Sequence, residues 1–581
     1  MAETLISPGV LARENDQSFI TQQPVQVGAA LVGPAVKGPV EVPTVVTSYS
    51  DYQNRFGTTF DSGSEVYTYF TSIAAYNYFN NGGNTLLVTR VVSGSLTAWD
   101  YAEAEVADSS SNGTSFTLEA IDKGVIFNNT SSVTSGSLDS GSVDNVRWQV
   151  VARNESAGTF SLVIRRGDDR NDNPIVLETW NNLSLDPNSD NFISRVIGDT
   201  RYNYNSTENY LEISGSYPNA SRYVRVKSVG SATPNYLNNG GDPKSNFTGS
   251  IPALGSGSNN GSFSGGEGKN ISIYPGGGNY YEKAGTSSGG VTGVTQGLIG
   301  SDYTDMINLL SNQDDYQFNA LLTPGLFDKV HPSQTTAAIN NTQTRGDNLY
   351  VLDPVVYGST IANATAQGDA RNTSYAAMYW PWLQTFEPDS GKNVFVPAST
   401  MMGGVYAFND SVSEPWFAPA GINRGGLTNV IRPERKLSQG NRDTLYEANI
   451  NPIASFPGTG TVVYGQKTLQ KQASALDRVN VRRLLIALKS YIGQVAQTLV
   501  FEQNTAATRN NFLAAVNPYL ETVQQRQGLY AFKVVMDDSN NTPDVIDRNQ
   551  LVGAIYLQPT KTAEFIYLDF NVLPTGATFP A

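Results

Sequence analysis

A chain of 581 residues with no cysteine, one histidine and 15% charged residues carries little of the equipment for catalysis. Without Cys it cannot hold a disulfide, a zinc thiolate or an iron–sulfur centre, and one His excludes a His-based metal cage or zincin motif within one chain. The formal charge of −14 argues against nucleic acid, whose recognition needs a basic footprint, and no run approaches the ~18 apolar residues of a membrane span.

No charged-then-apolar leader opens the chain, so no secretory signal is expected. Residues 1–24 are poor in core-forming side chains, and only Ser18, Phe19, Ile20 and Thr21 read as a strand. The segment has the makings of an extended arm that pairs with something else. From Val25 the texture is that of an α/β unit. Strands are expected at Val27–Val32 and Val42–Thr47, with turns at Pro34, Gly38 and Pro39. A helix over Glu65–Phe79 would place Tyr69, Ile73 and Tyr76 on one face, before a buried strand at Thr85–Val92. Residues 96–230 change to short alternating runs, such as Val146–Ala152 and Phe160–Arg165, which is the pattern of a β-sandwich or barrel. Residues 251–300 hold 15 of the 54 glycines and read as a Gly/Ser-rich loop or linker.

Helix and strand alternation resumes at Tyr303–Leu310 and Asn319–Thr323, followed by a Trp/Pro-rich stretch at Met378–Leu383. The strongest helix spans Asp477 to about Gln503, where Val481, Leu485, Leu488, Ile492, Val495 and Leu499 form a continuous apolar seam. A second helix, from about Ala506 to Gln527, contains Pro518 and is expected to kink there. Strands follow at Leu529–Met536, Leu551–Leu557 and Ala563–Leu573, the last with Ile566, Leu568, Phe570 and Val572 alternating onto one face. Charge is uneven: residues 420–535 carry 14 Lys and Arg against 6 Asp and Glu, in a chain that is otherwise acidic.

Few stretches carry chemistry. Gly268-Lys269 lacks the earlier Gly and the following Ser/Thr of a phosphate loop, because Phe263 and Asn270 stand there. Asp168, Asp169 and Asp172 lack the sixth-position Gly and twelfth-position Glu of an EF-hand and read as a solvated hairpin turn. Glu387 and Asp389 flank Pro388 and read as a turn, with no further support for glycosidase chemistry. His331, the sole residue that could complete a Ser-His-Asp triad, lies in a polar, turn-like context. No catalytic, cofactor-binding or metal-ligating residue is assigned. On the strongest helix Arg478, Arg482 and Lys489 fall within about 40° of one another, roughly 80° from the apolar seam. They read as a solvated face or as a docking face for an acidic protein.

Three stretches together resemble the tail sheath proteins of contractile-tailed bacteriophages. The first is Leu5-Ile6-Ser7-Pro8-Gly9-Val10 with the Gly33-Pro34-Ala35 and Gly38-Pro39 turns and Tyr52 to Gly57; the second is Leu183 to Ser189. The third comprises Trp416–Gly421, Asn480–Leu484, Phe501–Asn504 and Pro559–Ile566, with Gln503 where the family often has Pro. The resemblance implies a non-enzymatic structural subunit without cofactors. Its fold would be a multidomain mixed α/β core of N- and C-terminal parts, with a large inserted β-rich domain and extended terminal arms. The expected divisions are an arm at 1–24, a middle α/β domain at 25–95 and 296–419, and an insert at 96–295 with its Gly/Ser-rich loop at 235–300. A C-terminal α/β domain at 420–562 would face the tube, and a strand arm would follow at 563–581.

The family works by stacking hexameric rings around an inner tail tube and contracting without nucleotide to drive the tube through the host envelope during genome delivery. Ser18, Phe19, Ile20 and Thr21 at one end, and Ile566, Leu568, Phe570 and Val572 at the other, would then be strands given to neighbouring subunits. Arg478, Arg482 and Lys489 would face the tube. The implied partners are further copies of the chain, the tail tube protein, and baseplate and tail terminator proteins, with neither nucleic acid nor membrane insertion. The implied location is the virion tail, assembled in the host cytoplasm. The sheath of a phage-derived contractile injection particle is the near alternative, and the size of the insert weighs against it. A glycan-binding tailspike or adhesin is more remote, since neither a β-helix repeat nor paired catalytic carboxylates accompany the Gly and Tyr richness.

Overall fold

Alternation along the apolar strands sets the architecture. In Ala29–Gly33, Ala29 and Leu31 point into one buried cluster and Ala30 and Val32 into another. Leu349–Asp353 repeats this, with Leu349 and Val351 on one side and Tyr350 and Leu352 on the other. Strands buried on both faces must be covered on both, and parallel neighbours need crossovers that supply the cover. The outcome is an eight-stranded sheet in the order Thr44–Val46, Leu86–Arg90, Ala29–Gly33, Ala320–Phe327, Leu349–Asp353, Ala376–Trp380, Ile450–Phe456, Gly460–Val463. The inner strands run parallel and both edge strands antiparallel. Helices Phe70–Asn80 and Ser399–Val412 cover one face through Ile73, Met402 and Tyr406, and Pro332–Arg345 and Gln439–Glu447 cover the other through Ala338, Ile339 and Leu445.

The computed structural model describes residues 28–566 apart from 63–64, 95–97, 111–112, 130–132, 135, 256–260, 271–278 and 289–290. The strand expected at Ser18, Phe19, Ile20 and Thr21, and Leu568, Phe570 and Val572 of the last strand, lie outside the described residues.

Two boundaries differ from the sequence reading. The helix expected over Glu65–Phe79 begins only at Phe70, because Glu65–Thr68 pairs as a strand with Thr59–Ser62. The division expected at 420 falls inside the sheet domain. Ile450, Ile453 and Val463 are buried in the two sheet cores, which makes Ile450–Phe456 and Gly460–Val463 its last two strands.

After Arg90 the chain leaves the sheet and, between Ala102 and Phe263, builds a separate core, before Tyr280, Ala284 and Leu298 return it to the sheet cores. Val146–Asn154, Thr159–Arg166 and Val176–Ser184 form one antiparallel sheet, and Tyr101–Ala107, Thr114–Lys123 and Val224–Val229 another. Their apolar faces share a cluster in which Phe116 stacks on Phe160 at 5.5 Å beside the buried Trp148. The Gly/Ser-rich stretch is no free linker. Ile251 and Phe263 are buried in this core, and Pro252, Gly255, Ser264 and Glu267 bridge to Asp108, Val150, Glu103 and Asp100. Gly268 packs on Trp99 at φ 97°, where a Cβ would meet the ring, so its role is close approach and not phosphate binding.

Insert and sheet domain meet across a polar seam. Lys37 pairs with Asp144 at 3.3 Å, the Gly38 N–H donates to Asp122, and Arg222 lies 3.7 Å from Asp51. At this seam Glu41 is buried in the left-handed region, at φ 58°. Burial pushes its carboxyl up to about 8, helped by Asp305 and Asp302 and opposed by Lys123. The folded chain therefore keeps a proton that the unfolded chain releases near 4.5, and stability falls as pH rises between these values. Glu41→Gln is expected to melt above the wild type near pH ~9, by an amount on the order of a few kcal/mol, and level with it near pH ~4. Thermal melts at the two pH values check this.

Candidate assembly interface

The C-terminal unit starts where the helix Val479–Gln497 leaves the sheet. Val479 and Ile486 pack into the sheet core, while Leu484 and Leu488 join a smaller cluster with Phe512, Val516, Leu520 and Leu529. Half-buried Leu485, Ile492, Val495 and Leu499 extend that second contact. The following helix, Ala506–Gln525, continues through Pro518. Leu529–Val535 and Ala554–Pro559 then close the unit as an antiparallel ribbon, and no third strand joins it among the described residues. Phe532, Val534, Ile555 and Leu557 lie against the small cluster, whereas Tyr530 and Tyr556 are left 64% and 62% exposed.

Beyond the ribbon the strand expected from Ala563 does not form over 563–566. Glu564 is drawn instead to Arg478 at 2.7 Å, Tyr446 at 2.8 Å and Gln466 at 3.0 Å, which leaves Ile566 75% exposed. A groove of 1040 Å³ opens between this segment and Trp416, Tyr446 and Tyr464.

Of the basic stripe, Arg482 and Lys489 both reach the Tyr375 ring, while Arg478 stands in extended backbone just before the helix. The Arg482 guanidinium is buried 4.0 Å over the Tyr375 ring and donates to Ser374 at 2.5 Å. Burial holds its pKa below the usual value. Arg478 is taken by Glu564 and Asp477. Lys489 is exposed and donates to the Tyr375 hydroxyl at 3.3 Å. The physical reason is the second apolar face, Val479 and Ile486, which draws the first half of the helix between two cores. A solvated stripe is thus corrected to one exposed lysine beside two arginines that tie the chain to itself.

Residues of the other charged motifs are tied to the chain itself. His331 accepts the Phe327 N–H at Nδ1 (3.1 Å) and donates from Nε2 to the Gly293 carbonyl (2.8 Å), and burial lowers its pKa. Asp169 is no solvated turn residue. Its buried carboxylate accepts from Arg165 at 2.7 and 2.8 Å and from Arg147 at 3.4 Å. Glu387 accepts from Thr68 and from the N–H groups of Asp389 and Ser390, while Asp389 bonds Tyr49 and Gln53. Among the described residues no group of three or more His, Cys, Asp or Glu could hold a metal ion.

Sequence reasoning passed over Phe501. It follows the helix at φ 69° and is 100% exposed, beside Val500 at 60%. Two adjacent apolar residues in a turn were the available signal.

Residues 300–469 match the family model of the phage tail sheath protein central domain, and residues 471–573 that of the phage tail sheath C-terminal domain. Over these two stretches the chain is similar to phage tail sheath proteins. The tail sheath protein of Vibrio phage KVP40 is 41% identical over 208 residues, which are 36% of this chain and 31% of that protein. That of Enterobacteria phage T4 is 39% identical over 208 residues, 36% of this chain and 32% of its own. The chain therefore aligns with about a third of the length of these relatives. A sheath tail protein from Listeria innocua shares the fold over 92% of this chain and 96% of its own, with a TM-score of 0.52 at 10% identity. The junction of the two sheath domains, at 469/471, falls after the sheet's last strand at Val463 and before the helix that opens the C-terminal unit.

Proposed function

We propose that this chain is the polymerising subunit of a contractile phage tail sheath. In this reading it stacks as hexameric rings around an inner tail tube, within the virion tail, and contracts to drive the tube through the host envelope. The observation that carries the proposal is the ribbon of Leu529–Val535 and Ala554–Pro559, both of whose edges are unpaired among the described residues. A two-stranded ribbon is marginal alone, and an open edge is an aggregation hazard unless a partner strand covers it. Residues 1–24 and 563–581 are the segments to supply such strands between subunits, whose backbone hydrogen bonds then hold while rigid domains move. Contraction draws on a metastable extended lattice, with energy stored at assembly behind a barrier and no nucleotide consumed. Baseplate and terminator proteins would bound the polymer.

The tube-facing surface narrows to Lys489. Reversing Arg482 would bury an unpaired carboxylate and unfold the unit, whereas Lys489→Glu leaves the core untouched. One exposed charge contributes roughly 0.2–1 kcal/mol, but the contact recurs in every subunit. Lys489→Glu is expected to reduce co-sedimentation with tail tubes several-fold at low salt, with the difference shrinking as salt rises. Equal co-sedimentation at low salt would move the tube contact elsewhere.

A further inference from the structure

We infer that Phe501 of one copy docks into a pocket on the next copy, between its helices Val479–Gln497 and Ala506–Gln525. The inference rests on the proposed polymerisation and specifies one of its contacts.

Phe501 carries two costs that nothing among the described residues offsets. A bulky side chain in the left-handed region is unfavourable by about 1–2 kcal/mol, and its ring is wholly in water. The turn that presents it is nevertheless firmly held. The Glu502 N–H donates to Leu499 at 3.0 Å, Thr508 Oγ1 to the Gln503 carbonyl at 2.7 Å, and Asn504 Nδ2 to the Gln550 carbonyl at 2.8 Å. A preorganised apolar knob loses little further freedom on docking.

The pocket is a 230 Å³ cleft whose lining includes the apolar Ile486 and Ala487, Tyr491 and Tyr519 with their rings stacked at 3.8 Å, and the polar Arg483 and Gln494. A cavity of about 150 Å³ already holds a benzene ring, so this one has room for a phenyl side chain. The knob cannot fill its own hole. Tyr491 lies within the helix and Phe501 beyond its end, roughly 15 Å farther along the axis. Knob and hole at different places on one rigid element make a head-to-tail contact, the kind that closes rings or propagates as helices. One aromatic side chain buries only about 150–250 Å², well below the ~1,200 Å² of a stable interface. The contact must therefore act together with a neighbouring one. Asn504 ties the knob's turn to Gln550, just before the ribbon strand Ala554–Pro559, so the knob lies beside the edge proposed to receive an arm.

Since the chain has no cysteine, the contact can be trapped without background. Full-length chain carrying Phe501→Cys with Ala487→Cys, and each single variant, would be assembled on tail tubes, oxidised and run on non-reducing gels. The expected result is a ladder of linked multimers from the double variant alone. Phe501→Ala, with a wild-type melt, should raise the critical concentration for assembly about tenfold or more. Normal tubes with no ladder and an unchanged critical concentration would overturn the inference and leave the proposed function standing. Failure of the wild type to form tubes would overturn both.

Discussion

Chain lacking residues 1–24 is expected to fold as the wild type does and to form no tubes. Among the described residues every strand of the central sheet is drawn from residues 29–463, and the buried residues of both sheet cores begin at Ala29. Its loss should leave the melting curve of the monomer unchanged. Between copies the effect is large. A strand of four residues contributes several main-chain hydrogen bonds at about 1 kcal/mol net each, and the loss recurs at every lattice contact. Circular dichroism melts and electron microscopy of the same preparation separate the two effects. Normal tubes would rule out the arm as a connector.

Asp169→Ala is expected to destabilise the inserted sandwich by about 3–5 kcal/mol. The cross-strand register places Arg147 opposite Arg165, two like charges in a buried layer. Asp169 is the counter-charge that makes this tolerable. It also accepts the Ile175 N–H at 2.9 Å. Burial and the neighbouring Arg165 already hold Arg147 below its ordinary pKa. Removing the carboxylate strands two buried guanidinium groups, which is far costlier than losing an exposed pair. Asp169→Asn, which keeps the shape, should cost less. Calorimetry should show a transition moved to lower temperature, with the sheet-domain transition moved less, because Asp169 lies in the insert's own sheet and only side chains such as Ile126, Tyr204 and Leu211 carry the insert onto the sheet cores. A change below about 1 kcal/mol would mean that water or a side chain replaces the carboxylate.

These two sites differ in how far the sequence disclosed them. The arm is a reading of the sequence alone, from a lone strand-like run in a polar segment, and it lies outside the described residues. Asp169 was not legible, because three nearby aspartates in a turn look alike until the strand register sets Arg147 against Arg165. Helix geometry set Arg478, Arg482 and Lys489 on one side, but Arg478 precedes the helix, and an angle does not say what covers that side. The second apolar face at Val479 and Ile486 reverses the conclusion for Arg482. Four of the eight sheet strands stood out as apolar runs; Leu349–Asp353, Ala376–Trp380, Ile450–Phe456 and Gly460–Val463 did not, and the order rests on pairings such as Met378 with Ile450, far apart in the chain. Ile251 and Phe263 were the signal that the Gly-rich stretch belongs to a core, and the glycines masked it. The resemblance to tail sheath proteins came from ordered motifs, which composition alone does not contain.

The most direct test of the central claim is negative-stain electron microscopy of the purified chain mixed with its tail tubes in the absence of nucleotide. The account predicts hollow sheaths of stacked six-fold rings around the tubes, which shorten and widen on triggering without ATP. Bare tubes beside dispersed monomers, or sheaths that contract only when ATP is added, would contradict it.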